Sequence, residues 1–232
     1  MRTSALCFCF ILMCFGSVTA QLSASEVLER SIAYHDPDDK WKTFNGTFQI
    51  TMTTPNKGDR VSQITINLPG NYFSVNATRD NVTTRYTIDQ GNCDTTFQQE
   101  NSSGGDPCET AQLYKDYYTY LYGLPMKLKD PGTQISPDVE RVSFKGNDYL
   151  RIKVTYDEAV GTDVWYFYFN PMTYAMEVYQ FYKGDPNSEG KNTGEYILLS
   201  EKKVVQGIHM PKVRAWYYNK DDAYLGTDTL TN

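Results

Sequence analysis

The sequence predicts a mainly β protein of the α+β class, in which a long antiparallel meander is accompanied by an N-terminal helix and one helical insert. Three observations predict this class. From Gly46 onward apolar and polar residues alternate with a period of two, as on half-buried antiparallel strands. Short turn clusters such as 55–59 and 69–71 separate the alternating runs. Two segments, near 23–36 and 106–124, instead carry helix-capping residues and apolar residues at helical spacing.

The first twenty residues have the layout of a cleaved secretory signal. Arg2 precedes an apolar run from Ala5 to Phe15, and small residues follow at 17–20, which is the usual order of such a signal. The apolar run is too short to span a bilayer, and no cysteine follows it for lipid attachment. We expect cleavage near Ala20, and we expect residues 21–232 to form one exported, soluble domain without an integral membrane segment.

The first helix is predicted to begin after Ser23. Ser23 is placed as the N-cap and Glu26 completes a capping box, while Pro37 disfavours helical geometry at the residue before it. His35 then falls in the last turn, where a hydrogen bond to a backbone carbonyl is favourable. The alternative for His35 is metal binding or general-base catalysis. A zinc site needs three or four convergent ligands, and His209 is the one other histidine.

The strands are predicted from the alternation. The clearest apolar faces are Phe48-Ile50-Met52, Ile64-Ile66-Leu68, Val82-Tyr86-Ile88 and Leu150-Ile152-Val154-Tyr156. Further strands are predicted at 163–169, 175–183, 194–200, 208–218 and 224–230. About ten strands joined by short turns indicate a meander rather than a βαβ fold.

The helical insert is predicted to begin at Pro107. Asp106 is placed as its N-cap, Pro107 at the first position and Glu109 in the first turn, while Gly123 and Pro125 end it. Its apolar face comprises Leu113, Tyr117, Tyr120, Leu121 and Leu124. The insert either plugs one end of the sheet or serves as a movable cover.

Two cysteines remain after signal cleavage. Cys93 and Cys108 form an even pair in an oxidising compartment, which predicts one disulfide joining the insert to the sheet. Such a link contributes about 3 kcal/mol on the chain-entropy account. The alternative is a catalytic thiol, which requires a nearby base and an exposed environment that lowers its pKa.

The acidic composition of the chain limits the classes of molecule that it is expected to bind. The chain has 22 Lys and Arg against 28 Asp and Glu, a net charge of −6 and no basic cluster, which argues against nucleic acid and anionic lipid headgroups. Its nineteen tyrosines suit half-buried strands and also binding surfaces. The run 165–169 places Trp165, Phe167 and Phe169 on one face and two tyrosines on the other. Either both faces are covered, or one is an aromatic binding surface.

Several motifs resemble an uncharacterised domain family of exported proteins from Gram-negative bacteria. They are His35-Asp36-Pro37 with Trp41, the run 163–171, Gly194-Glu195-Tyr196, the segment 205–212 with Trp216-Tyr217-Tyr218, and Leu225-Gly226-Thr227-Asp228. The resemblance covers nearly all of the mature chain and implies no known activity.

The arrangement is also similar to the periplasmic lipoprotein-carrier and lipoprotein-receptor (LolA/LolB-like) superfamily. The shared features are the N-terminal helix, the long meander, the helical insert and a late strand entered at residues 207–212. This likeness implies a curved, unclosed half-barrel whose helices cover a concave apolar face that takes acyl chains, and transient contact with membrane lipoproteins. No functional arginine of that superfamily aligns with a particular residue here, and the lipid-attachment cysteine of the receptor branch is absent.

We therefore expect a non-enzymatic binding protein for an apolar ligand, a lipid or lipoprotein acyl chain, without a cofactor or metal. Burying about a dozen methylenes at about 0.8 kcal/mol each supplies on the order of 10 kcal/mol before ordering costs. The expected cavity walls are Phe48, Ile50, Met52, Ile64, Ile66, Trp165, Phe167 and Phe169. The expected cover residues are Leu113, Tyr117 and Leu121. Ordinary core packing is the alternative for each of them.

Two other functions remain open. A carbohydrate or glycan-binding module would use exposed aromatic faces, as in the run 216–219. A hydrolase-type enzyme has less support, because the sequence contains no nucleophile elbow, phosphate loop, Cys-x-x-Cys pair or two-histidine helix motif. The one candidate pair is His35 with Asp36, and adjacent residues at a helix end do not face each other.

Overall fold

The computed structural model describes residues 22–97 and 106–232, so the predicted signal at 1–20 lies outside the described residues. The two α-helices are α1 (Ala24–His35) and α2 (Pro107–Gly123). The twelve strands are β1 (Asn45–Thr54), β2 (Lys57–Asn67), β3 (Tyr72–Arg79), β4 (Val82–Asp89), β5 (Asn92–Phe97), β6 (Thr133–Phe144), β7 (Asn147–Tyr156), β8 (Asp163–Phe169), β9 (Met176–Lys183), β10 (Glu195–Val205), β11 (Ile208–Tyr218) and β12 (Tyr224–Leu230).

All twelve strands belong to one antiparallel sheet. Its order is β5-β4-β3-β2-β1-β12-β11-β10-β9-β8-β7-β6, so the chain's first and last strands meet in the middle. The edges, β5 and β6, do not pair with each other, and the sheet is not closed. The two helices share one hydrophobic core with one face of the sheet. This confirms the predicted mainly β class and the unclosed half-barrel whose helices cover its concave face.

The helices sit on different parts of that face. The first helix, α1, lies against β6 and β11, whereas α2 lies against β3, β4 and β5. A disulfide between Cys93 on β5 and Cys108 in the first turn of α2 fixes the second helix to one edge of the sheet. The predicted pairing is therefore confirmed. Neither helix within the described ranges is long and apolar enough to cross a bilayer.

The boundaries of α1 follow from its capping residues. The Ser23 hydroxyl accepts a hydrogen bond from the Glu26 backbone N–H at 3.2 Å, as predicted. The Glu26 carboxylate does not complete the capping box; it pairs with Arg30 one turn later, a favourable spacing on a helix. After the helix, the buried Asp36 carboxylate accepts hydrogen bonds from the backbone N–H groups of Lys40 and Trp41 at 2.7 and 2.9 Å. The acidic turn thus orders the chain that follows.

The C-terminus of α2 requires a glycine. A Cβ atom at Gly123 would lie 2.2 Å from the Trp41 ring, far inside van der Waals contact. The absence of a side chain therefore lets Trp41, which is buried, pack directly against the helix end. The helix ends at Gly123, as predicted from Gly123 and Pro125.

Three strands were not predicted. In β3, Phe73, Ser74 and Val75 are consecutively buried, so this strand is covered on both faces and loses its alternation. The short β5 is mostly polar. In β6 the pairing register shifts between Ile135 and Val139, and this segment includes a proline that interrupts the regular pairing.

Candidate functional site

The centre of the concave face is filled by side chains. Tyr118, Leu121 and Tyr122 of α2 are buried against the sheet, and the Tyr122 ring lies 5.0 Å from that of Phe48. Seven residues predicted to contact ligand are at most 4% exposed here: Phe48, Ile50, Ile64, Ile66, Phe167, Phe169 and Leu121. Their contact with a ligand stays a prediction, because it requires α2 to move.

An open cavity of about 860 Å³, the mouth groove, lies between α2 and the β6–β8 edge of the sheet. Its apolar lining comprises Leu113, Tyr117, Tyr120, Tyr156, Val160 and Trp165. Leu113 is 68% exposed and Val160 is 59% exposed, although clustered exposed apolar side chains are costly in water unless they serve contact. The groove therefore follows the gap that the unclosed sheet leaves beside α2.

Aromatic side chains form the wall of the mouth groove. The Trp165 ring stacks on Phe181 at 4.9 Å and meets the Tyr120 ring edge-on at 5.7 Å. The hydroxyls of Tyr120 and Tyr156 hydrogen-bond to each other. Burial raises the pKa of Tyr156 to about 12 and that of Tyr120 well above its usual range. Both phenols are therefore neutral at physiological pH. The charged residues that line the groove are Lys115, Asp116, Lys127, Asp130 and Asp163.

A second, smaller opening of about 280 Å³, the acidic recess, lies beside the ends of the central strands. Its lining comprises Met52, Thr54, Tyr117, Glu195, Trp216, Leu225, Gly226, Thr227 and Asp228. Tyr117 lines both openings, and its ring stacks on Trp216 with centroids 6.3 Å apart and an interplanar angle of 19°. The two openings therefore adjoin at Tyr117.

A buried arginine holds the C-terminal turn of α2. Arg214 on β11 is 1% exposed, and its guanidinium lies 3.8 Å from the centre of the Tyr122 ring. It donates hydrogen bonds to the carbonyls of Pro211 at 2.9 Å and Leu121 at 3.5 Å. Since Leu121 and Tyr122 belong to α2, this one side chain joins the helix to the sheet. Asp228 is its cross-strand neighbour on β12.

A family model described as a family of unknown function, DUF6503, matches residues 5–232. The chain belongs to this family. The match confirms the resemblance to an uncharacterised domain family. No curated protein matches the sequence.

Two solved structures resemble this DUF6503 protein. A LolA superfamily protein from Nitrosomonas europaea has a TM-score of 0.50 at 10% identity, over 90% of this chain and 92% of that chain. A DUF1329 family protein from Desulfovibrio piger has a TM-score of 0.50 at 9% identity, over 90% of this chain and 91% of that chain. At such identities the likeness shows the fold alone, and it confirms the predicted LolA-like architecture.

The two histidines of this DUF6503 protein join α1 to the sheet. The Met176 backbone N–H donates to His35 Nε2 at 3.0 Å, so Nδ1 carries the proton and donates to the His209 carbonyl at 2.6 Å. His209 Nδ1 in turn donates to the Tyr34 carbonyl at 2.7 Å. Both histidines line a third opening of about 560 Å³. The hydrogen bonds of both imidazole rings go to backbone groups. Within the described residues, no three His, Cys, Asp or Glu side chains converge on a metal site.

The outer face of the sheet carries a second aromatic cluster. Tyr149, Tyr168 and Val178 are its buried members. Tyr196 on the same face is 4% exposed, because the tip of the β6–β7 hairpin places Phe144 and Lys145 over its ring. Aromatic faces that bind sugars must be exposed, and the buried rings of Tyr149, Tyr168 and Tyr196 do not provide such a surface.

Sequence reasoning missed the charged groups of the concave face. The alternation on β11 runs through Met210 and Trp216, which places Arg214 on the inward side. The same rule places Asp228 beside the fully buried Leu230 on β12. A charged residue at an inward-facing strand position could have indicated these groups from the sequence, because isolated charges are rarely buried.

Proposed function

We propose that this DUF6503 protein is an exported, non-enzymatic binding protein that holds an apolar chain in the mouth groove, with α2 as its cover. The observation that carries this proposal is the exposure of Leu113 and Val160 on a groove whose wall is formed by Trp165 and neutral tyrosines. Its volume of about 860 Å³ falls within the range of about 300–1,000 Å³ typical of ligand sites.

The attachment of α2 suits a cover that can move. Cys108 ties its first turn to β5, and Arg214 holds its last turn. Between these anchors, Leu113 stands in the mouth groove, and Tyr117 lines both openings while packing against the core. Displacing the middle of the helix would join the mouth groove to the buried walls such as Phe167. Export and transient contact with membrane lipoproteins, which the superfamily resemblance implies, are part of the same proposal.

A glycine in the groove lining allows a direct test. Gly161 lines the mouth groove, and a Cβ atom built there meets nothing within 4 Å. Gly161→Trp should therefore fill the groove without disturbing the fold. We expect displacement of Nile red by 1-dodecanol to need at least about tenfold more alcohol, a loss of about 1.4 kcal/mol in binding.

The matched control is Val204→Trp, which adds the same ring at a position 54% exposed outside the groove. It should bind 1-dodecanol as the unaltered protein does, and both variants should keep the unaltered melting temperature. If 1-dodecanol displaces no probe from the unaltered protein, or if Gly161→Trp binds it as well, the groove is not the site.

A further inference from the structure

We propose that the acidic recess binds an alkylammonium group, the cationic head of an amphiphile whose chain lies in the mouth groove. The assignment of the chain rests on the proposed function, whereas the assignment of the head rests on the recess itself. The two openings adjoin at Tyr117, which lines both, so head and chain of one molecule can occupy them together.

The charges on the recess are of one sign. Glu195 and Asp228 are its charged lining residues, and neither lysine nor arginine lines it. Neither carboxylate has an ion-pair partner within the part of the chain that the structure describes. A site lined by carboxylates attracts a cation and repels a carboxylate, sulfate or phosphate head group.

The nearby arginines are engaged with α2. Arg214 stacks on Tyr122 and donates to backbone carbonyls, and Arg60 donates to the Tyr118 hydroxyl at 3.4 Å. Burial raises the pKa of Asp228 despite the opposing charges of Arg214 and Arg60. Burial also raises the pKa of Glu195, although the positive charge of Lys183 acts to lower it. A cation bound in the recess would therefore stabilise both carboxyls in their ionised form.

Aromatic and apolar groups complete the lining. The stacked rings of Tyr117 and Trp216 both border the recess, and aromatic faces attract an ammonium placed within about 6 Å of the ring centre. Met52 and Leu225 supply apolar surface for methyl groups on nitrogen. The volume of about 280 Å³ lies just below the range of about 300–1,000 Å³ for whole ligands, so the recess suits a head group alone.

The test compares head groups on one chain length. Isothermal titration with decyltrimethylammonium and decanoate below their micelle concentrations, and with 1-decanol below its solubility limit, gives three affinities. Choline measures the head group alone. We expect decyltrimethylammonium to bind about tenfold more tightly than 1-decanol, a difference of about 1.4 kcal/mol, and decanoate to bind most weakly. Equal or tighter binding of 1-decanol or decanoate overturns the recess assignment and leaves the carrier proposal standing.

Variants of the lining locate the preference. In the double variant Asp228→Asn with Glu195→Gln, decyltrimethylammonium and 1-decanol should bind with about equal affinity. Glu195→Gln alone, at a half-buried position, should lose part of the preference for decyltrimethylammonium. Asp148→Asn, which alters an exposed acid outside both openings, should keep the full preference. A preference that survives in both Glu195→Gln and the folded double variant overturns the assignment. If choline binds and decyltrimethylammonium binds no more tightly than choline does, the assignment of the head group to the recess is supported and the proposed binding of an apolar chain is overturned.

Discussion

Replacing Arg214 with alanine should lower the free energy of unfolding by about 3–5 kcal/mol, as expected when a buried charged side chain that joins two elements is removed. The variant loses a desolvated cation–π contact with Tyr122 and charged hydrogen bonds to the carbonyls of Pro211 and Leu121. It also leaves a cavity and removes a positive charge that opposes the raised pKa of Asp228. Urea denaturation of the folded protein measures the change.

The matched control is Arg85→Ala, which removes an exposed arginine from β4 and should change stability by less than about 0.5 kcal/mol. Arg214→Lys keeps the charge but loses the planar stacking surface, so it should recover only part of the loss. Hydrogen exchange should accelerate most in the last turn of α2, including Leu121 and Tyr122. A loss below 1 kcal/mol, or exchange that rises equally in α1, would show that Arg214 does not anchor the cover.

Acid should destabilise the protein through His35. Burial lowers the pKa of this imidazole from 6.5 to about 4 in the folded state, and the nearby charges of His209, Arg214 and Lys202 act in the same direction, outweighing the His209 carbonyl bond. The unfolded chain therefore binds a proton at a higher pH than the folded chain does. The stabilisation is complete above pH 6.5 and is lost as pH falls from 6.5 to about 4, with a total of about 3 kcal/mol.

The measurement is the free energy of unfolding at several pH values between 7 and 4 for the unaltered protein and His35→Gln. The variant is less stable at pH 7, because the Met176 N–H and the His209 carbonyl lose their imidazole partner, but its stability should fall less steeply with acid. Ile32→Ala weakens the same helix without removing a titrating group and should keep the full slope. Parallel curves for His35→Gln and the unaltered protein would contradict this account.

The sequence predicts the strands that have one solvent-exposed face and one buried face. The sets at Phe48-Ile50-Met52 and Leu150-Ile152-Val154 appear as predicted, on β1 and β7. Where a strand is covered on both faces, as at β3, or interrupted by a bulge, as at β6, the alternation that reveals it is lost. The helices were predictable because Ser23 and Asp106 cap them through local hydrogen bonds.

The candidate site was less predictable, because it depends on the rotation of α2. Helical spacing grouped Leu113 with Leu121, yet Leu121 is buried while Leu113 stands in the mouth groove. Tyr118 and Tyr122 take the inward positions instead, where Tyr122 meets a guanidinium from β11. Such a contact joins residues distant in sequence, so no local pattern can show it. Leu113, Tyr117, Met52 and Trp165, all predicted ligand contacts, do line the two openings.

Photo-crosslinking tests the central claim most directly. A decyl alcohol carrying a diazirine at the end of its chain, bound to the protein and irradiated, marks the residues against which the chain lies. We expect peptide mass spectrometry to find the label on α2 between Leu113 and Tyr120 and on the segment from Tyr156 to Trp165, and we expect excess 1-dodecanol to abolish this labelling. Label confined to the outer tyrosines, or spread over the surface and insensitive to 1-dodecanol, would contradict the claim.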